Sequence, residues 1–346
     1  MMPRVRIYPV FVPHWGCPHA CVFCNQQRIS GEHSPVDGET LREMLSRAAA
    51  ALRDGIRREL AFYGGSFTAI PREFQAELLG EAREALEKGW IDGIRLSTRP
   101  DAIDPEILSF LKTYGVSAVE LGAQSMNDNV LRQSARGHTA EDVVRASRLI
   151  REAGLELVLQ MMTGLPGDSP GSCVETARKL IQLKPDGVRI YPTVVVRDTA
   201  LYALWKAGKY REHSVEDAVR ICARIVPLFD RAGIPILRLG LNPTEELSAG
   251  AAVAGAYHPA LGELVRSRIL LEEARRLLAG VLPGSRVCLG VSAEKISQLI
   301  GQHRGNIRAL QTEFSLKEIS VKPLSEPGAS LRILSAVKGE QGVFHS

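Results

Sequence analysis

The sequence predicts an α/β protein: a partial (β/α)6 barrel of the TIM type followed by a small α+β domain. Three observations carry this. Short runs rich in Val, Ile and Leu alternate with amphipathic stretches, as buried parallel strands and their crossover helices require. The chemically distinctive residues fall where those runs end, which is where a parallel barrel carries its site. The alternation stops near residue 240, and a differently patterned tail begins further on. A chain of 346 residues has room for one large domain and one small one.

The strands are read at 5–12 (VRIYPVFV), 59–65 (ELAFYGG), 93–98 (GIRLST), 116–124 (VSAVELGAQ), 155–164 (LELVLQMMTG) and 187–196 (GVRIYPTVVV). Helical stretches between them open at Asp37, Pro71 and Thr139 and close at Gly55, Gly89 and Gly154. Those are the residue types that start and stop helices. Six such units are too few to close an eight-stranded barrel. A seventh apolar run, PILRLGLN at 235–242, precedes an Ala- and Gly-rich stretch, 243–268, expected to be irregular and to cover the barrel mouth. A helix beginning at RILLEE (268) would follow. The expected domains are therefore a barrel at 1–240, a covering segment and helical linker at 241–283, and an α+β tail at 284–346.

Composition narrows the class. Hydrophobic residues make up 45% and charged residues 24%, ordinary for a soluble enzyme. No apolar run is long enough to span a membrane. The N-terminus lacks the small-residue cleavage site of a signal peptide, so a reducing, cytoplasmic setting is expected. There, clustered cysteines point to metal more than to disulfides. A net charge of +4 is compatible with a nucleic-acid partner without requiring one.

The segment HWGCPHACVFCNQQ (14–27) carries Cys17, Cys21 and Cys24 in a C-x3-C-x2-C spacing. Three thiolates on one short loop leave one iron of a four-iron cluster without a protein ligand. A structural zinc site wants four ligands, which His14 or His19 would have to complete. Cys173, Cys222 and Cys288 are scattered and read as packed thiols.

The cysteine spacing, with Phe23 before the last cysteine, resembles the radical S-adenosylmethionine (SAM) superfamily. FYGGSFTAI (62–70), LSTRPD (96–101), ELGAQSMNDNVLRQSARGHT (120–139), MMTGLPG (161–167) and RIYPTVVVRDTALYALWKAGKY (189–210) extend the likeness. Together they resemble the radical domain of the Elongator catalytic subunit and, more distantly, the oxygen-independent coproporphyrinogen III oxidases. The resemblance implies a [4Fe-4S] cluster on Cys17, Cys21 and Cys24 that cleaves SAM to a 5′-deoxyadenosyl radical. It implies that Phe23, Gly64, Gly65, Ser66, Thr98, Gln124, Arg136 and Gln160 hold the cofactor. Tyr8, Tyr191, Lys206 and His138 are the candidates to face the substrate. The first two cysteines lie closer together than in the Elongator subunit, and no acetyl-coenzyme A pattern is visible. The resemblance therefore extends to the radical chemistry and not to carboxymethylation.

In the tail, QLIGQHRGNIRAL (298–310) resembles the helix–GxxG–helix centre of KH domains, with Arg304 in place of the last loop glycine. That implies RNA contact through Gly301, Gln302, His303, Arg304 and Arg308, or an interaction module with the same fold. The barrel and the tail together point to RNA, in particular a tRNA base, as substrate, with a flavodoxin or ferredoxin as electron donor. Two rivals use the same residues differently: a haem- or cluster-handling chaperone, and a zinc-stabilised RNA-binding protein.

Overall fold

Residues 4–12, 17, 21–31, 36–50, 55–326 and 328–338 are described by the computed structural model. His14 and His19 lie outside them. The strands are β1 (Arg4–Phe11), β2 (Ile56–Tyr63), β3 (Gly93–Thr98), β4 (Val116–Gln124), β5 (Glu156–Thr163), β6 (Gly187–Pro192), β7 (Val194–Val196), β8 (Ile236–Leu239), β9 (Ala252–Gly255), β10 (Ser285–Ser292), β11 (Glu318–Leu324) and β12 (Arg332–Lys338). One sheet runs in the order β1-β2-β3-β4-β5-β6-β8. Every neighbouring pair in it is parallel. The seventh apolar run thus joins the sheet, and the six-stranded expectation is corrected to seven. Ile236 pairs with Val188 because the helix Val215–Arg231 returns the chain to the open edge of β6.

Thr139, read from the sequence as a helix start, has three counterparts with the same capping chemistry. Asp104, Thr139, Ser169 and Ser214 each accept a backbone N–H of the first turn, which satisfies donors a helix leaves open. Their apolar faces cover strands whose inner residues are fully buried, among them Leu60, Phe62, Leu96, Val119, Leu159 and Ile190. Burial on both faces explains why the strand runs are apolar without alternation.

The stretch after β8 is less irregular than expected. It forms a short π-helical turn at Leu247–Ala251 and then β9, which pairs antiparallel with β7. Val194, Val196, Leu247 and Ala251 pack together there, with Ile29, Leu241 and Tyr257 against them.

The chain divides into two compact units, with the boundary between Pro259 and Ala260. The expected 241–283 linker is therefore split. Its first part stays with the barrel, and its helix runs from Leu261 to Leu278, starting earlier than RILLEE. Leu270, Leu271, Ala274 and Leu278 bury themselves in the core of the second unit with Val287, Leu289, Leu299, Ile307 and Leu310. That unit has a three-stranded sheet in the order β11-β10-β12, β11 parallel and β12 antiparallel to the centre. Helices Ile296–Ile300 and Gly305–Glu313 lie between β10 and β11 in the chain.

Candidate active site

Between Cys21 and Cys24 the chain is anchored from both sides. Val22 N–H donates to Ser134 O and Val22 O accepts from Leu201 N–H. Val22 and Phe23 pack against buried Val195, Leu201 and Tyr210. Asn25 caps the helix Gln26–Ser30 that follows. Cys21 and Cys24 are thereby held in place without a disulfide. Cys17, Cys21 and Cys24 are unpaired, and all three line one cavity of about 180 Å³.

Opposite the thiols lie the C-terminal ends of β2, β3 and β4. Gly64, Gly65, Thr98, Gln124, Arg136 and Gln160 line the same cavity. Gly64 has φ +88°, and a Cβ there would lie 3.3 Å from the Phe11 ring. Only glycine suits both the turn and the close approach. Gln124 adopts a left-handed conformation (φ 61°) although it is not glycine. Its Oε1 is buried without a partner, the kind of strain that clusters at functional sites.

Two arginines, Arg99 and Arg136, line the cavity that the thiols border, and Arg136 reaches a thiol. Arg136 donates through Nη1 to Cys21 Sγ (3.2 Å) and through Nη2 to Gly122 O (2.8 Å). Arg99 is held by Asp101 at 3.0 Å and bonds Arg136 O. Arg136 Nε and Arg99 Nη1 are buried and unpartnered. Burial, and after it the neighbouring Cys21, push the Cys24 thiol up to about 12, so ligation at that sulfur releases a proton. Three thiols around a space, facing unpaired N–H donors and an unpaired amide oxygen, fit a polynuclear cluster carrying a ligand with carboxylate and hydroxyl groups.

A larger cavity of about 620 Å³ adjoins the first. Phe23, Cys24, Gln26, Gly64, Ser97, Gln124 and Gln160 line both. On its floor, Glu120 is completely buried. It accepts from Tyr63 Oη (2.9 Å), Arg95 Nη1 (3.1 Å), Gln160 Nε2 (3.0 Å) and Arg189 Nε (2.8 Å). Burial alone would raise its pKa, but the Arg189 and Arg95 charges hold it below the usual carboxylate range. Sequence reasoning missed this network. Its signal was available: charges inside the otherwise apolar runs GIRLST, VSAVELGAQ and GVRIYP.

The sequence-named residues fall into three groups. The cysteines, Phe23, Gly64, Gly65, Thr98, Gln124, Arg136 and Gln160 share the smaller cavity, and Tyr191 lines the larger. Ser66 lines neither. Its Oγ is fully buried and accepts Arg99 N–H at 3.1 Å, so it positions Arg99. Tyr8 alternates away from Ile7, Pro9 and Phe11, which line the larger cavity, as period-two geometry requires.

Two further substrate-side expectations are corrected. Lys206 ends the helix Ala200–Lys206 in solvent, its ammonium 5.5 Å from the Tyr202 ring, and it lines neither cavity. His138 is buried, with Nε2 3.2 Å from Ala123 O. A carbonyl only accepts, so Nε2 carries the proton, and burial lowers the ring's pKa to about 4. His138 is neutral at pH 7 and ties the end of β4. Its unfolded form takes up a proton near 6.5, so stability falls as pH drops. The loss from this ring between pH 7 and pH 5 is about 2 kcal/mol. Thermal melts at the two pH values are expected to differ less in His138→Gln than in the wild type.

In the second unit, Gln302, His303 and Arg304 form an exposed 3-10 turn after Gly301, with His303 at φ 50° and Arg304 at φ 61°. Arg308 is exposed one turn later and donates to His303 O.

Comparison with known proteins decides the family. The profile described as "Radical SAM superfamily" matches residues 12–180, and that of the "Radical_SAM C-terminal domain" matches 185–270. The chain belongs to the radical SAM superfamily. Radical SAM proteins use a [4Fe-4S] cluster and SAM, and the smaller cavity carries thiols and polar groups of the kinds those two call for. Human Elongator complex protein 3 is 30% identical over 231 residues, 61% of this chain and 41% of that protein. The tRNA uridine(34) acetyltransferase of Methanocaldococcus jannaschii is 27% identical over 309 residues, 75% of this chain and 55% of that protein. The radical SAM chain thus spans about half the length of the curated relatives it matches. Among solved structures, Methanocaldococcus infernus Elp3 with an N-terminal deletion superposes with a TM-score of 0.62. The identity is 22%, covering 82% of this chain and 67% of that one, which establishes a shared fold. Among the described residues no helix is long and apolar enough to cross a membrane.

Proposed function

We propose that this radical SAM enzyme modifies a base of tRNA in the cytoplasm, with an electron supplied by a flavodoxin or ferredoxin. When bound, the cluster and SAM supply a 5′-deoxyadenosyl radical. In this reading Cys17, Cys21 and Cys24 hold the cluster, and Arg136 balances thiolate charge at Cys21. Gly64 and Gly65 let the cofactor approach the backbone, while Thr98, Gln124 and Gln160 offer hydrogen bonds to its polar groups. Phe23 closes one wall and, with the covering segment, limits water around the reactive centre. Tyr191 meets the substrate in the larger cavity.

The observation that carries the reading is the continuity of the two cavities. A thiol-lined chamber opens, through seven shared residues, into a separate space with apolar walls and a hydrogen-bonding floor. A group held against the thiols would therefore face the larger cavity directly, and the shared residues would keep solvent from coming between them. The choice of tRNA is supported by the acetyltransferase relative, named for tRNA uridine(34), which aligns with three quarters of this chain. The exposed turn Gln302–Arg304 with Gly301 and Arg308 supports it from the second unit, as a place where phosphates meet backbone amides and arginine.

The test is anaerobic reconstitution with iron and sulfide, then reduction with SAM and an assay for 5′-deoxyadenosine with and without bulk tRNA. Cleavage stimulated by tRNA, and lost in Cys21→Ala, is the expected result. A protein that takes up only zinc, that binds haem stoichiometrically, or that holds a cluster without cleaving SAM overturns it.

A further inference from the structure

The floor of the larger cavity has an unusual charge arrangement. Among the described residues lining it, Glu120 is the carboxylate and Arg189 the guanidinium. They pair with each other, Arg189 Nε at 2.8 Å and Nη2 at 3.0 Å. Glu120 also takes hydrogen bonds from Tyr63, Arg95 and Gln160. Five donors saturate a carboxylate, so Glu120 has no capacity left to hold a ligand or take a proton. The walls around this pair carry no further full charge among the described residues and include apolar Phe11, Met162, Pro192 and Leu241.

We infer that Glu120 sets the charge selectivity of this cavity: by cancelling the charge of Arg189 it turns a cationic floor into a neutral, hydrogen-bonding one. An uncharged polar ring enters such a site at little cost. An anion loses its hydration and meets no uncompensated cation in return. Glu120 does this as a positioning residue, acting through Arg189 and Tyr63. The inference rests on the reading of the larger cavity as the substrate site. Neutralising Glu120 frees one charge there, because Arg95 keeps Glu59 at 2.6 Å and does not line the cavity.

The test compares two nucleosides that differ by one charge, uridine and its 6-carboxylate orotidine, by calorimetric titration of the reconstituted chain. Wild type is expected to prefer uridine. In Glu120→Gln the affinity ratio should move toward orotidine by about tenfold, the effect of one uncompensated charge at close range. Glu120→Asp should keep the wild-type preference, and the shift should vanish in Glu120→Gln with Arg189→Met. A merely structural role weakens both nucleosides alike, so an unchanged ratio overturns the inference. So does wild type that binds orotidine as well as uridine, or binds neither. Should Glu120→Gln fail to fold, Arg189→Met alone must move the ratio further toward uridine, and an unmoved ratio overturns the inference. The tRNA-stimulated cleavage assay judges the wider reading separately, so the two can fail independently.

Discussion

Gly122→Ala is expected to cut cofactor-dependent chemistry by about 100-fold while leaving a folded barrel. A Cβ on Gly122 would lie 2.8 Å from Gln124 Nε2 and 3.1 Å from Arg136 Nη2. Both are far ends of side chains, so they move and the backbone stays. What moves is a pair of polar side chains that line the smaller cavity and that we propose meet the cofactor. Arg136 would lose its 2.8 Å bond to Gly122 O and with it the aim of Nη1 at Cys21. A displacement of about 1 Å in a positioning group costs about 100-fold in rate. The check is twofold: SAM affinity by equilibrium dialysis of the reconstituted chain, and 5′-deoxyadenosine yield. Unchanged values in both would mean that neither side chain meets the cofactor.

The second large effect is on stability. Arg95→Met removes a side chain that is 6% exposed and bridges Glu59 at 2.6 Å and Glu120 at 3.1 Å. Glu59 and Glu120 are themselves 2% and 0% exposed. Breaking a buried pair by deleting one partner costs about 3–5 kcal/mol, because the carboxylate left behind has no solvent to turn to. The lower end is expected here, since Glu59 retains Arg57 at 2.8 Å and Glu120 retains Arg189. Urea unfolding followed by circular dichroism measures it. Adding Glu59→Gln to Arg95→Met should recover a substantial part of the loss. A variant as stable as wild type would mean that the network is hydrated.

These two residues mark the limit of what was legible in the chain. Gly122 is one of 31 glycines and sits inside a strand, where glycine signals little. Its importance appears only when Gln124 and Arg136 fold back over it. Arg95 and Glu120 looked like isolated charges in apolar strands. Their pairing depends on β2, β3 and β4 lying side by side, with Ala61 opposite Arg95 and Ser97 opposite Glu120.

The split of the 241–283 segment has the same cause. The helix Leu261–Leu278 shows an apolar stripe, but a stripe does not name its partner. His138 illustrates the converse: the RGHT motif drew attention to an imidazole, and only burial against Ala123 O made it a structural one.

The sequence by itself determined the order of strands and helices, the helix caps, the three-thiol loop, and the placement of glycines and polar residues at strand ends. Each follows from forces that act within a few residues: backbone sterics, capping hydrogen bonds and hydrophobic periodicity. Only the tertiary structure decided that a seventh strand completes the sheet, that β9 returns to β7, and that two cavities share a wall. It also decided that one carboxylate from β4 collects the arginines of β3 and β6. Those depend on which strands become neighbours and in what register, a choice made by the burial of the whole core rather than by any local stretch of chain.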